Sequence, residues 1–125
     1  MSSTVCRGVR GAINVAENSR DTILDATREL LQAMIDANAI LPDDVASAFF
    51  TTTMDLTAEY PAVAARQLGW YDVPLLCGHE MDVPHGLAKC IRILVMWNTT
   101  LGPRDIKHIY LRDAVTLRPD IHPTA

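Results

Sequence analysis

Lys89-Cys90-Ile91-Arg92-Ile93-Leu94-Val95-Met96-Trp97-Asn98 reads as one long strand. Ile91, Ile93 and Val95 alternate with Cys90, Arg92 and Leu94, and successive residues of a strand point to opposite faces of its sheet. Beyond Lys89 one face is therefore apolar, and the other carries Arg92 among apolar neighbours. Such a position is expected to be at least partly buried. A buried guanidinium keeps its charge and needs a partner. Two readings follow: a structural ion pair, for example with Glu80 on a neighbouring strand, or an anion-binding, charge-stabilising group lining a cleft.

The rest of the chain can be read around this strand. Residues 5–15 hold β-branched residues and glycines and read as a first strand. Asn18 and Ser19 offer N-cap side chains. Ile23, Leu24, Leu30, Leu31, Met34 and Ile35 then form one stripe at helical spacing, which predicts an amphipathic helix over 20–37 with a stop near Asn38. A turn at Leu41-Pro42-Asp43-Asp44 leads to a strand over 45–53. Asp55 or Thr57 could cap a second helix over 61–68, with Pro61 in its first turn and Gly69 ending it. Strands are expected at 73–81 and 107–111, and a short element at 114–117. The order β-α-β-α-β-β-β predicts an α+β fold, a mixed β-sheet with two helices on one face, in a single domain spanning 1–125. Two helices cover one face only, and the other is still apolar by alternation, so self-association is the economical solution.

Composition narrows the function classes. A chain of 125 residues can bury a core without disulfides or metals. Hydrophobic residues make up 49% and charged residues 21%, the balance of a globular protein. No apolar run approaches the roughly 20 residues that span a bilayer, and no apolar segment accompanies Arg7 and Arg10, so no signal peptide is read and the cytoplasm is the expected location. The net charge of -4 argues against nucleic-acid binding through phosphate neutralisation. All the cations except Lys89 and Lys107 are arginine, the residue suited to hold a carboxylate or phosphate in fixed geometry. Cys6, Cys77 and Cys90 are odd in number and form no CxxC, so reduced thiols are expected.

Few groupings could carry chemistry. A metal site would have to recruit Cys77, His79, His85 and Cys90, whose spacing fits no common zinc pattern. A nucleophilic pair of Cys77 and His79 would need a spatial approach between them. Strand alternation puts Glu80 and Gly78 on one face and Cys77 and His79 on the other. No glycine-rich phosphate loop, dinucleotide fingerprint or G-x-S-x-G elbow is present. Arg7-Gly8-Val9-Arg10-Gly11-Ala12 sets two arginines beside glycines that permit close backbone approach. Arginines with one carboxylate, Glu80, suit a small polyanion.

The whole pattern resembles a known family, the monofunctional chorismate mutases of the AroH class. The resemblance runs from about Cys6 to Pro119. Besides the segment around Arg7 and Arg10, it is carried by Tyr60-Pro61-Ala62 with Arg66 and by Cys77-Gly78-His79-Glu80-Met81-Asp82-Val83. It continues through Gly86-Leu87-Ala88-Lys89-Cys90-Ile91-Arg92, His108-Ile109-Tyr110-Leu111 and Ala114-Val115-Thr116-Leu117-Arg118-Pro119-Asp120. The resemblance implies a homotrimer with a pseudo α/β-barrel core, active sites in clefts between subunits, chorismate as substrate, prephenate as product, and no cofactor. It implies that Arg92 lies at the breaking ether oxygen, that Glu80 accepts from the substrate hydroxyl near the ring, and that Cys77 is a second contact to that hydroxyl. Arg10 and Tyr110 match groups on the enolpyruvyl carboxylate. Arg118, with Leu117, matches a tail that orders over the site. Tyr60 and Arg66 match positions lent by a neighbouring subunit, and Arg7 matches a position near the site.

Three positions depart from the family pattern. Val63 stands where a lysine is frequent, leaving Arg66, Arg118 or a backbone group to neutralise the ring carboxylate. Tyr60 replaces a frequent phenylalanine, and Leu76 a usual polar residue. Two other readings use the same raw facts. Imine deaminases of the RidA type are also small trimers with a carboxylate-binding arginine, but their signature is not read here. A non-catalytic sensor of a small dianion would not need Glu80 and Arg92 opposed across a reacting bond.

Overall fold

The structure, a computed structural model, describes residues 3–117. Strand β1 spans Val5–Asn14, helix α1 Arg20–Asn38, β2 Val45–Thr52, α2 Ala62–Gln67, β3 Leu75–His79, β4 Cys90–Thr99 and β5 Ile109–Tyr110. Short 3-10 turns occupy Pro42–Asp44, Pro103–Asp105 and Arg112–Leu117. The element order is the one expected from the sequence. The five strands form one mixed sheet in the order β3-β2-β4-β1-β5. β4 lies at its centre, antiparallel to both β1 and β2, while β3 and β5 add as parallel edges.

Local chemistry explains the boundaries. Ser19 caps α1, its hydroxyl accepting from the Thr22 amide at 3.2 Å. At the far end the left-handed residue is Ala39, at φ 58. Asn38 instead ties the helix to a distant segment: its side chain donates to the Lys107 carbonyl and accepts from the Lys107 amide, both at 2.9 Å. That use of the Lys107 backbone leaves β5 shorter than the expected 107–111. β3 is likewise shorter than 73–81, because Pro74 has no amide to donate. Neither expected cap serves α2, whose N-cap is Pro61 with no side-chain hydrogen bond. Asp55 accepts from the Lys89 amide, and Thr57 accepts from the Asn18 side chain. Gly69, at φ 95, follows α2 as expected.

The main core lies between the sheet and the two helices, with Val9, Ile13, Ile91, Ile93, Val95 and Phe50 facing Ile23, Leu30, Leu31 and Met34. Gly11 lets α1 approach β1 closely. A Cβ there would sit 2.5 Å from Met34 Sδ and 3.1 Å from Leu30 Cδ1. Both side chains are fully buried, so neither can move without displacing others. Gly11→Ala is therefore expected to cost about 1–3 kcal/mol of stability, read as a lowered Tm or denaturant midpoint.

The opposite face carries no helix. A small second cluster of Ala12, Cys90, Tyr110 and Ala114 covers one end of it, where the turn at Arg112–Leu117 folds over. That turn is tied down by Asn14, which donates to the Asp113 carboxylate and accepts from the Asp113 amide, and by Arg112, which reaches the Asn14 carbonyl and Glu29. The rest of this face exposes Phe49 and Leu76.

Candidate active site

Strand register decides which side chains meet on the helix-free face. Ala12 pairs with Arg92 and with Tyr110, and Arg92 pairs with Thr51, which pairs with Gly78. One row of the face thus runs Tyr110, Ala12, Arg92, Thr51, Gly78. The next row runs Arg10, Leu94, Phe49, Leu76. Glu80 follows β3 by one residue, its amide donating to the Thr52 carbonyl at 2.8 Å, and its side chain returns over this same face. Arg10, Tyr110, Glu80 and Arg92 line one cavity of about 240 Å³ with Thr51, Phe49 and Leu94.

Arg92 Nε lies 3.4 Å from Glu80 Oε1. The ion pair foreseen from sequence exists, but not between adjacent strands: β2 runs between the two residues and contributes Thr51. Thr51 Oγ1 donates to the same Glu80 oxygen at 2.7 Å. Arg92 is only partly buried, at 44% side-chain exposure. The reason is the face it occupies, which has no covering helix in the chain. Beneath the pair, burial pushes the Cys90 thiol up; the Arg92 guanidinium partly offsets this, while Glu80 and Asp55 add to it. Cys90 is thus a neutral thiol packed under the charges.

The segment 80–89 after Glu80 is fixed at its far end by Asp55, whose two carboxylate oxygens lie 3.0 and 3.2 Å from the Lys89 amide. Burial raises the Asp55 carboxyl, but hydrogen bonds from Thr53 and the Lys89 backbone outweigh it and hold the group below its ordinary range. Arg10 is anchored through its backbone, its amide donating to His108 Nδ1 at 3.0 Å. Arg7 sits further along β1, its Nε donating to the Leu101 carbonyl at 3.1 Å.

The other residues singled out by the sequence lie elsewhere. Cys77 faces the helix side of the sheet, as alternation required, and with Tyr60, Pro61 and His79 it lines a separate cavity of about 440 Å³. Burial pushes its thiol up, with a backbone hydrogen bond from Ala62 and the nearby charge of Arg66 partly offsetting the effect. Within one chain, Cys77 therefore cannot touch a group held between Glu80 and Arg92. Tyr60 is 70% exposed and Arg66 is exposed on α2. Leu117 ends the last 3-10 turn, half-buried against the second cluster. Arg118 lies outside the described residues.

The metal and nucleophile groupings are not assembled. Cys77 and Cys90 lie on opposite faces, and His85 is exposed in the segment 80–89. His79 Nδ1 is directed to Thr52, 3.1 Å from its hydroxyl, and not to Cys77. Thr51 and His108 were missed as site residues. Their signal is strand register, which alternation within a single strand does not give.

A helix-backed mixed sheet whose open face sets two arginines and one carboxylate in an apolar cleft has the chemistry suited to a small polyanion. Comparison with known proteins makes this specific. The sequence matches the family model for chorismate mutase type I over residues 6–121. It is 49% identical to chorismate mutase AroH of Thermus thermophilus over 116 residues, covering 92% of this chain and 95% of the relative. It is 43% identical to chorismate mutase AroH of Bacillus subtilis strain 168 over 116 residues, covering 92% and 91%. The solved chorismate mutase from Clostridium thermocellum superposes with a TM-score of 0.86 at 44% identity, over 87% of this chain and 97% of that one. The chain belongs to the chorismate mutase type I family, and its activity is that of a chorismate mutase, an isomerase.

Proposed function

We propose that this activity is carried out by electrostatic and conformational catalysis on the helix-free face, with Arg92 as the principal catalytic residue and Glu80 opposed to it. The observation that carries the reading is the Arg92–Glu80 pair, held across Thr51 in a cleft that also contains Arg10 and Tyr110. The rearrangement of chorismate to prephenate breaks an ether C–O bond while a C–C bond forms. It needs no nucleophile and no proton transfer. Negative charge grows on the ether oxygen and relative positive charge on the ring fragment. A fixed guanidinium at the oxygen and a carboxylate toward the ring stabilise the transition state more than the ground state. Arg10 and Tyr110 hold the enolpyruvyl carboxylate and so select the compact reactive conformer. Glu80 accepts from the ring hydroxyl.

The cleft in one chain holds two guanidiniums against one carboxylate, a net charge of one, whereas chorismate is a dianion. The separate cavity with Tyr60 and Cys77, near Arg66, supplies the missing cation if it faces the cleft of another copy. This complementarity, with Phe49 and Leu76 exposed on the open face, supports association of copies with shared active sites; that the assembly is a homotrimer with a pseudo-barrel core is what the family resemblance implies. In that arrangement Cys77, Tyr60 and Arg66 reach the substrate from the neighbouring subunit, and Arg66 neutralises the ring carboxylate in place of the lysine absent at Val63. By the family resemblance Leu117 and Arg118, the latter beyond the described residues, are substrate-binding residues. No helix among the described residues is long and apolar enough to cross a membrane, and the enzyme acts in the cytoplasm, in phenylalanine and tyrosine biosynthesis.

Subunit sharing has a direct test. Arg92→Ala disables one half of the site, and Tyr60→Asp with Arg66→Glu, both exposed, disables the other by repelling the dianion. Each variant alone is expected to be severely impaired. Unfolding and refolding the two together should return activity, because mixed trimers contain clefts with both halves intact. A co-refolded mixture no more active than its separate components would show that each chain carries its whole site.

A further inference from the structure

We propose that Thr51 is a positioning residue: its hydroxyl fixes the Glu80 carboxylate so that one oxygen holds Arg92 and the other faces the substrate. This rests on the roles assigned above to Glu80 and Arg92.

Both internal contacts of the carboxylate converge on one atom. Oε1 accepts from Thr51 Oγ1 at 2.7 Å and lies 3.4 Å from Arg92 Nε. No hydrogen bond within the described residues falls on Oε2, which is thus the oxygen available to accept from a ligand hydroxyl. Glu80 needs such a hold. It lies beyond the end of β3, its side chain has several torsions to fix, and it is 30% exposed. Thr51 can provide the hold. It stands on β2 between two paired strands, and a β-branched side chain has a restricted χ1. Its partner Gly78 has no side chain, and a Cβ there would meet nothing within 4 Å, so nothing on β3 crowds Thr51 from that side. A neutral donor on a carboxylate makes a charge-assisted hydrogen bond, stronger than one between neutral groups. The Arg92 contact alone, longer than an ideal charge-assisted bond, holds the carboxylate less tightly.

The test compares Thr51→Val, which keeps shape and removes the hydroxyl, with Thr51→Ser, which keeps the hydroxyl. Chorismate turnover is measured in the full-length protein. Thr51→Val is expected to lower kcat roughly tenfold to thirtyfold with KM little changed, the worth of one hydrogen bond to a charged group. Thr51→Ser should recover most of that loss. In a Glu80→Ala background the valine should cost nothing further, because there is no carboxylate left to position. Wild-type kcat in Thr51→Val, an equal loss in serine and valine, or an undiminished loss in the Glu80→Ala background would each overturn the proposal. Should the valine variant not fold, Thr51→Ala enters the same comparisons. If Glu80→Ala itself turned over normally, the role of Glu80 would fall and this proposal with it; if Glu80→Ala is crippled and Thr51→Val is not, only the positioning role falls.

Discussion

Arg92→Ala is expected to lower kcat for chorismate by roughly 10²–10³-fold, the cost of removing one preorganised donor from a developing oxyanion, about 3–4 kcal/mol. The ether oxygen carries little charge in the ground state and much more in the transition state. A cation fixed beside it therefore acts mainly on the barrier, and kcat falls more than KM rises. Arg92→Lys keeps the charge but loses the planar fork, so it should recover only part of the rate: a single ammonium cannot present separate, rigidly spaced nitrogens to Glu80 and to the oxygen. Stability should hardly change. Arg92 and Glu80 are 44% and 30% exposed, and ion pairs this accessible contribute at most about 1 kcal/mol. Thermal unfolding of the variant beside its kinetics checks both halves. A variant as active as the parent would remove Arg92 from the central role.

Glu80→Ala is expected to be nearly as damaging, with a loss in kcat of roughly 10²-fold from the combined removal of a charge and a hydrogen bond to it. Two contributions add here. The carboxylate faces the ring fragment as that fragment becomes relatively positive, and the same group holds Arg92 Nε at 3.4 Å. Glu80→Asp is expected to rescue little. Shortening the side chain by one methylene draws the carboxylate away from Thr51 Oγ1, now 2.7 Å away, and a misplacement of about 1 Å can itself cost on the order of 10²-fold. Steady-state kinetics on the alanine and aspartate variants would separate the need for a charge from the need for its position. An aspartate variant with parental kcat would mean that position matters little.

The sequence made the elements plain because their signals are local. The stripe from Ile23 to Ile35 needed only helical spacing, and the alternation from Cys90 to Met96 needed only strand spacing; α1 and β4 lie where those patterns put them. The misplaced boundaries have tertiary causes. Asn38 takes the Lys107 backbone from β5, and Asp55 binds the Lys89 amide and not the start of α2. The sidedness of Cys77 against Glu80 was legible from alternation. The company Glu80 keeps was not. It depends on β2 lying between β3 and β4 and on Thr51 standing opposite Arg92, facts of sheet order and register. Arg92 is partly buried as expected, but how far was not legible, since composition gives the apolar character of a strand and not which of its faces the helices cover. The residues that the family resemblance singles out lie in two cavities on opposite faces of the sheet at β3, a separation that only the fold reveals.

The central claim is that positioned charges in this chain convert chorismate without a metal or cofactor. Its most direct test is to mix chelator-treated purified protein with chorismate alone, follow the loss of chorismate ultraviolet absorbance, and identify the product. Prephenate formed at the same rate before and after chelation is the predicted result. No conversion, or conversion that returns only when a metal ion is added, would contradict the account.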